Sequence, residues 1–156
     1  MEEFIYEIYE NIHFYKRYKE LSISTRKSED RFEKTDKNKV LGILKCLGED
    51  AKYVSKGQFY KIENVVNNWH LNLHLSIKYG VVEVILGGKN DVTGLIIGGP
   101  ASIICESIEC QKGIKSDSYI KKPAFGDYET LTAIFKEVLG VYADFKMEIM
   151  KLNEAN

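Results

Sequence analysis

Residues 69–78 read WHLNLHLSIK. Trp69, Leu71, Leu73, Leu75 and Ile77 alternate with His70, Asn72, His74, Ser76 and Lys78. A period of two sustained over residues 69–78 belongs to a strand with one face on a core and the other in water. Tyr79-Gly80 follows as a two-residue turn into VVEVIL, residues 81–86. That turn sets a register in which Lys78 faces Val81, Ile77 faces Val82, Ser76 faces Glu83, Leu75 faces Val84 and His74 faces Ile85. Val82, Val84 and Leu86 then join the leucine face, whereas a slip of one residue would bury Glu83 instead.

Working outward, AKYVSKGQFYKIENV (51–65) predicts a hairpin turning at Lys56-Gly57. On the other side, Gly87, Gly88, Gly94, Gly98, Gly99 and Pro100 surround LII, predicting a loop, a short strand at 95–97 and a turn. ASIICESIE (101–109) predicts another strand, and 110–126 a loop with room for a short strand at 118–121. Asp127 is placed to cap a long helix over 128–152, striped by Leu131, Ile134, Phe135, Val138, Tyr142, Phe145, Ile149 and Leu152. Gly140 inside it costs about 1 kcal/mol relative to alanine, which a close approach of another element would explain.

At the N-terminus, Phe4, Ile5, Ile8, Ile12, Tyr15 and Leu21 predict one amphipathic helix over 3–21. Glu2, Glu3 and Glu7 stand early and Lys16, Arg17 and Lys19 late, which suits the helix dipole. Tyr6, Tyr9, His13, Phe14 and Tyr18 lie off the stripe and imply contact on two sides. Residues 22–38 are a polar connection with Phe32 as its large apolar residue and room for a short helical turn. Val40, Leu41, Leu44 and Leu47 predict a helix over 37–48, with Asp36 as N-cap and Gly48 just past its end.

The order helix, helix, antiparallel strands, helix gives an α+β fold. It consists of an antiparallel sheet of four to six strands, with two N-terminal helices and one long C-terminal helix packed on one face. At 156 residues this is a single α+β domain, 1–156. The opposite sheet face would carry His70, Asn72, His74, Ser76, Glu83 and Ile85. Lys+Arg total 22 and Asp+Glu 23, a net charge of −1, which argues against a strongly basic nucleic-acid domain and an acidic tail protein. No apolar run reaches the roughly 18 residues of a membrane span. The N-terminus is acidic first and basic later, the reverse of a secretory signal, so a cytoplasmic protein with no membrane contact is expected. Cys46, Cys105 and Cys110 are then reduced thiols, and without a CxxC pair they make no zinc ribbon.

Several residues invite chemistry. His70 and His74 would meet on a helix, but on a strand they stand about 13 Å apart, so no shared metal is expected. As exposed rings under a partner they would titrate near pH 6–7; the plainer alternative is two solvent-facing imidazoles. Glu83, diagonal to His74, could form an acid–base pair or an ordinary cross-strand pair worth about 0.2–1 kcal/mol. LGGKNDVTGLIIGGP lacks the GK[ST] ending of a phosphate loop, and Asp91 within it reads as a turn residue. Residues 16–61 hold 13 Lys/Arg against 7 Asp/Glu, leaving an acidic surplus elsewhere. The basic hairpin 52–61, KYVSKGQFYK, could contact nucleic acid through Lys52, Lys56, Lys61, Tyr53, Phe59 and Tyr60. A sheet edge guarded by lysines is the simpler account, so nucleic acid is not the expected partner. No catalytic residue, metal or cofactor is assigned.

With no catalytic motif, a one-sided sheet and 10 tyrosines suited to anchoring, a protein-binding module is the leading reading. The small, cysteine-poor, helix-first α+β chain resembles the immunity proteins of bacterial polymorphic-toxin and contact-dependent inhibition systems. The resemblance is one of size and layout over the whole chain, and no diagnostic motif carries it. It implies stoichiometric neutralisation of a cognate toxin domain, often a nuclease, by covering its active site or substrate groove. The acidic surplus outside residues 16–61 would complement a basic groove. The partner-binding residues expected from the sheet face are His70, Asn72, His74 and Glu83. The alternatives are a small enzyme using His70, His74 and Glu83, or a nucleic-acid-associated regulator using the hairpin 52–61. A homodimer remains open to any of these.

Overall fold

The alternating stretch forms the middle of a sheet. The computed structural model describes residues 1–26, 32–115 and 119–154. Strands β1 (Lys52–Val54), β2 (Phe59–Val66), β3 (Trp69–Lys78), β4 (Val81–Asn90) and β5 (Ile96–Pro100) make a five-stranded antiparallel sheet in chain order. The β3–β4 register is the expected one, from Lys78 opposite Val81 to His74 opposite Ile85. Tyr79 (φ 53°) and Gly80 (φ 73°) both take the left-handed backbone that a two-residue turn of this hand requires. Leu71, Leu73, Leu75, Val82, Val84 and Leu86 are each no more than 5% exposed, so the leucine face is the core face.

The helices are α1 (Glu3–Asn11), α2 (Phe14–Ser24), α3 (Lys37–Cys46), α4 (Ala101–Lys112) and α5 (Tyr128–Glu154). α5 packs on β2 and β3, α4 on β4 and β5, and α3 on β1, while α2 packs on α4 and α5 and α1 on α2 and α5. All five contribute buried side chains to one apolar cluster with β2–β5. Two caps are as expected. Asp36 accepts from the backbone N–H groups of Asn38 and Lys39, and Asp127 from that of Thr130. The result is an α+β fold with its helices on one side of the sheet.

Four local expectations are corrected. The helix expected over 3–21 is broken at His13, whose φ of 55° puts it in the left-handed region. In a continuous helix Ile12 and Phe14 would point about 200° apart. The break re-phases the chain so that both are buried, together with Tyr9, Tyr18 and Leu21. The off-stripe aromatics therefore signalled a break.

Residues 101–109, expected as a strand, are helical. Ala101, Ile104, Cys105 and Ile108 are all buried, an i, i+3, i+4, i+7 stripe. Pro100 stands at the N-cap, where its missing N–H costs nothing, and Gly113 (φ 69°) closes the C-terminus. The glycines at 87 and 88, expected in a loop, lie inside β4. A Cβ on Gly88 would come within 2.7 Å of Leu71 Cδ2, so this glycine makes room for core packing across the strand pair.

Of the short strand expected at 118–121, none forms among the described residues. Ser118 lies outside the described residues, and 119–121 carry no strand pairing. Instead Ala124 bridges Val81, with Val82 N–H donating to Pro123 and Phe125 N–H to Gly80. This segment shields the part of β4 that β5 does not reach. The helical turn considered for 22–38 is partly the end of α2. Residues 27–31 lie outside the described residues, and Phe32 packs on Phe125 and Tyr128.

Candidate partner-binding face

The pleat that buries the leucines sends the intervening side chains to the other side. Cross-strand pairing then sets them in rows. One row is Val65, His70, Lys89 and Ile96; the next is Glu63, Asn72, Gly87 and Gly98; a third is Lys52, Lys61, His74, Ile85 and Pro100. Among the described residues no helix covers this face, and Val65 (65%) and Ile96 (74%) stand well exposed on it.

The four residues expected to bind a partner share this face but do not converge. His70 Nε2 lies 2.7 Å from Asp91 Oδ2, tying β3 to the β4–β5 turn. Asn72 Oδ1 lies 3.1 Å from where a Cβ on Gly87 would be, so that glycine leaves room for the amide. His74 sits beside the Phe59 ring, with centroids 4.4 Å apart. Burial by that neighbour, and the nearby Lys61 ammonium, hold its pKa below the ordinary histidine value, while Glu63 partly opposes them. Glu83 is engaged 2.9 Å from Lys122 Nζ, opposite Ser76.

The acid–base pair considered for Glu83 and His74 is therefore not formed: each has another neighbour. Among the described residues, no group of three or more His, Cys, Asp or Glu could hold a metal. Cys105 is buried in α4, where loss of solvation pushes its thiol up to about 12, the reverse of an activated nucleophile. Cys46 and Cys110 are exposed. No described helix is long and apolar enough to cross a membrane.

Two sequence signals point elsewhere in the structure. The tyrosines serve mainly the core: Tyr9, Tyr18, Tyr60 and Tyr142 are buried, with Tyr60 pushed up to about 12 by desolvation. Tyr142 donates from its hydroxyl to Asn64 Oδ1 at 2.9 Å. In the hairpin 52–61, Tyr53 and Tyr60 pack on each other on the core side, and Phe59 alone reaches the outer face. Its aromatics thus form no stacking platform beside the lysines.

The sequence reading missed Val65, Lys89 and Ile96 as members of the outer face. The alternation of β2 could have placed Val65 opposite His70; the glycine-rich stretch hid Lys89 and Ile96. Lys61 pairs with Glu63 at 2.8 Å, whereas Lys52, Lys78 and Lys89 make no ion pair among the described residues. No protein-family model, curated protein or solved structure matches this chain.

Proposed function

We propose that the protein is a binding module that docks on another protein through the outer face of its sheet. Its resemblance in size and layout makes an immunity protein, neutralising a cognate toxin domain by stoichiometric binding in the cytoplasm, the specific form of that reading. The observation that carries it is the uncovered sheet face itself. Val65, Ile85 and Ile96 supply apolar area, and His70, Asn72, His74 and Glu83 supply hydrogen-bonding groups around it. An interface needs that mixture, an apolar centre with polar groups to fix register. An enzyme would need the polar groups gathered in a pocket, and here they are spread along strands at about 6.6 Å intervals.

The test is co-expression with the product of the reading frame immediately upstream. A stable one-to-one complex on size exclusion, with loss of the partner's toxicity, is the expected result. Absence of a toxin-like reading frame, together with no captured partner, would overturn the reading.

A further inference from the structure

A second surface lies round the edge of β5, on the helical side. A groove of about 390 Å³ runs between the start of α1, β5 and α4, with Ile5, Ile97 and Ile104 in its floor and Leu95, Ile96 and Ile103 along its sides. Ile103 (49%) is exposed beside the buried Ile97 and Ile104, so the groove is open on the helical side, and Ile96 (74%) marks its rim, where it meets the outer face of the sheet.

Its helical flank is acidic, while the α-ammonium-bearing Met1 also lines the groove and Lys89 stands opposite Ile96 on the outer face of the sheet. Glu2 lines the groove, and the exposed Glu106 stands one turn along α4 from Ile103. Residues 1–12 contain Glu2, Glu3, Glu7 and Glu10 and no basic residue. The one base within α1 and α4 is Lys112, held 3.0 Å from Glu10 at the far end of both helices.

We infer that this groove takes an amphipathic segment of a basic partner protein, its apolar side chains seated on Ile5, Ile97 and Ile104 and its lysines or arginines facing Glu2 and Glu106. A second copy of the chain is a poorer occupant, because it would bring two sets of glutamates together. The two surfaces meet at Ile96, and the Val65→Glu and Ile103→Ser variants below tell them apart.

The test uses two synthetic 18-residue peptides of identical Leu/Lys composition, one with leucines segregated on a helical face and one scrambled. Both are titrated against the full chain by calorimetry and by backbone-amide NMR. The segregated peptide should bind at least tenfold tighter than its isomer, shift the amides of Ile96, Ile103 and Ile104, and weaken as salt rises. Ile103→Ser, at an exposed position, should lose at least tenfold in affinity with an unchanged melting temperature, while Val65→Glu on the sheet face should lose nothing. Equal binding of both peptides would overturn the inference. So would wild-type affinity in Ile103→Ser, or a homodimer that Ile103→Ser dissociates. None of these results bears on whether the co-expressed neighbour binds the sheet face.

Discussion

Replacing Leu73 by alanine should cost far more stability than replacing its neighbour His74, although the two are adjacent on one strand. Leu73 is 1% exposed and lies between Ile62 (3%) and Leu86 (1%) in the paired strands. Strands tied by ladder hydrogen bonds cannot close in on the space left by the lost side chain. A buried Leu→Ala change then falls toward the upper part of its usual range, about 3–5 kcal/mol. With a urea slope of about 2 kcal/mol/M, the unfolding midpoint drops by about 1.5–2.5 M. His74→Ala removes one ring contact with Phe59 on a face open to water, worth about 1 kcal/mol or less, so its midpoint moves by no more than about 0.5 M. Urea melts followed by far-UV circular dichroism measure both. Equal losses would mean that the sheet is covered on both sides, and the argument for an available face would fail.

Other consequences are as direct. In native protein, a thiol reagent should modify Cys46 and Cys110 quickly and Cys105 only after unfolding, since burial and the nearby Glu109 and Glu106 carboxylates disfavour its thiolate; fast reaction of all three thiols would refute this. His74 should titrate by NMR below the ordinary histidine value of about 6.5. Because the folded state disfavours its imidazolium, stability is full above that value and falls as pH drops through the window down to the lowered folded pKa; His74→Gln should remove that loss, and a midpoint at or above the ordinary value would contradict it. Gly98→Ala should destabilise by about 2 kcal/mol or more, because the residue has φ +95° and a Cβ would stand 2.0 Å from Leu86 O. Gly94→Ala, at φ +74° with open space around it, should cost about 1 kcal/mol, and equal effects at the two sites would refute the packing argument.

How legible each part was depends on what determined it. The β3–β4 hairpin was readable to the residue because alternation and a two-residue turn leave one register that buries no charge. The α3 and α5 caps were readable because Asp36 and Asp127 act on their own chain within three residues. α4 reads as a strand by residue type, through Ile103, Ile104 and Ile108, and as a helix only by the spacing of Ala101, Ile104, Cys105 and Ile108; Pro100, after two glycines, fits a turn as well as a helix start. Gly87 and Gly88 were misplaced because their cause, the approach of Asn72 and Leu71, is not local in sequence.

Gly140 illustrates the same limit. The expected close approach is the Arg17 guanidinium, which lies 3.1 Å from where a Cβ would sit while it pairs with Glu137 at 2.8 Å and Asp144 at 2.7 Å. The sequence announces that something approaches there, but not that it is an arginine from α2. At the candidate face, the alternation of β3 identified His70, Asn72 and His74 as outward residues. The partners that hold His70, His74 and Glu83 apart, respectively Asp91, Phe59 and Lys122, come from other strands and loops.

The central claim, that the uncovered side of the sheet is where a partner protein sits, is tested most directly by comparing two chains. Wild-type protein and the double variant Val65→Glu/His74→Ala are each measured against the co-purified partner by calorimetry, with melting temperatures in parallel. The account predicts a one-to-one complex for wild type and at least a hundredfold weaker binding for the variant, with both chains folded. Binding by the folded variant as tight as wild type would contradict it.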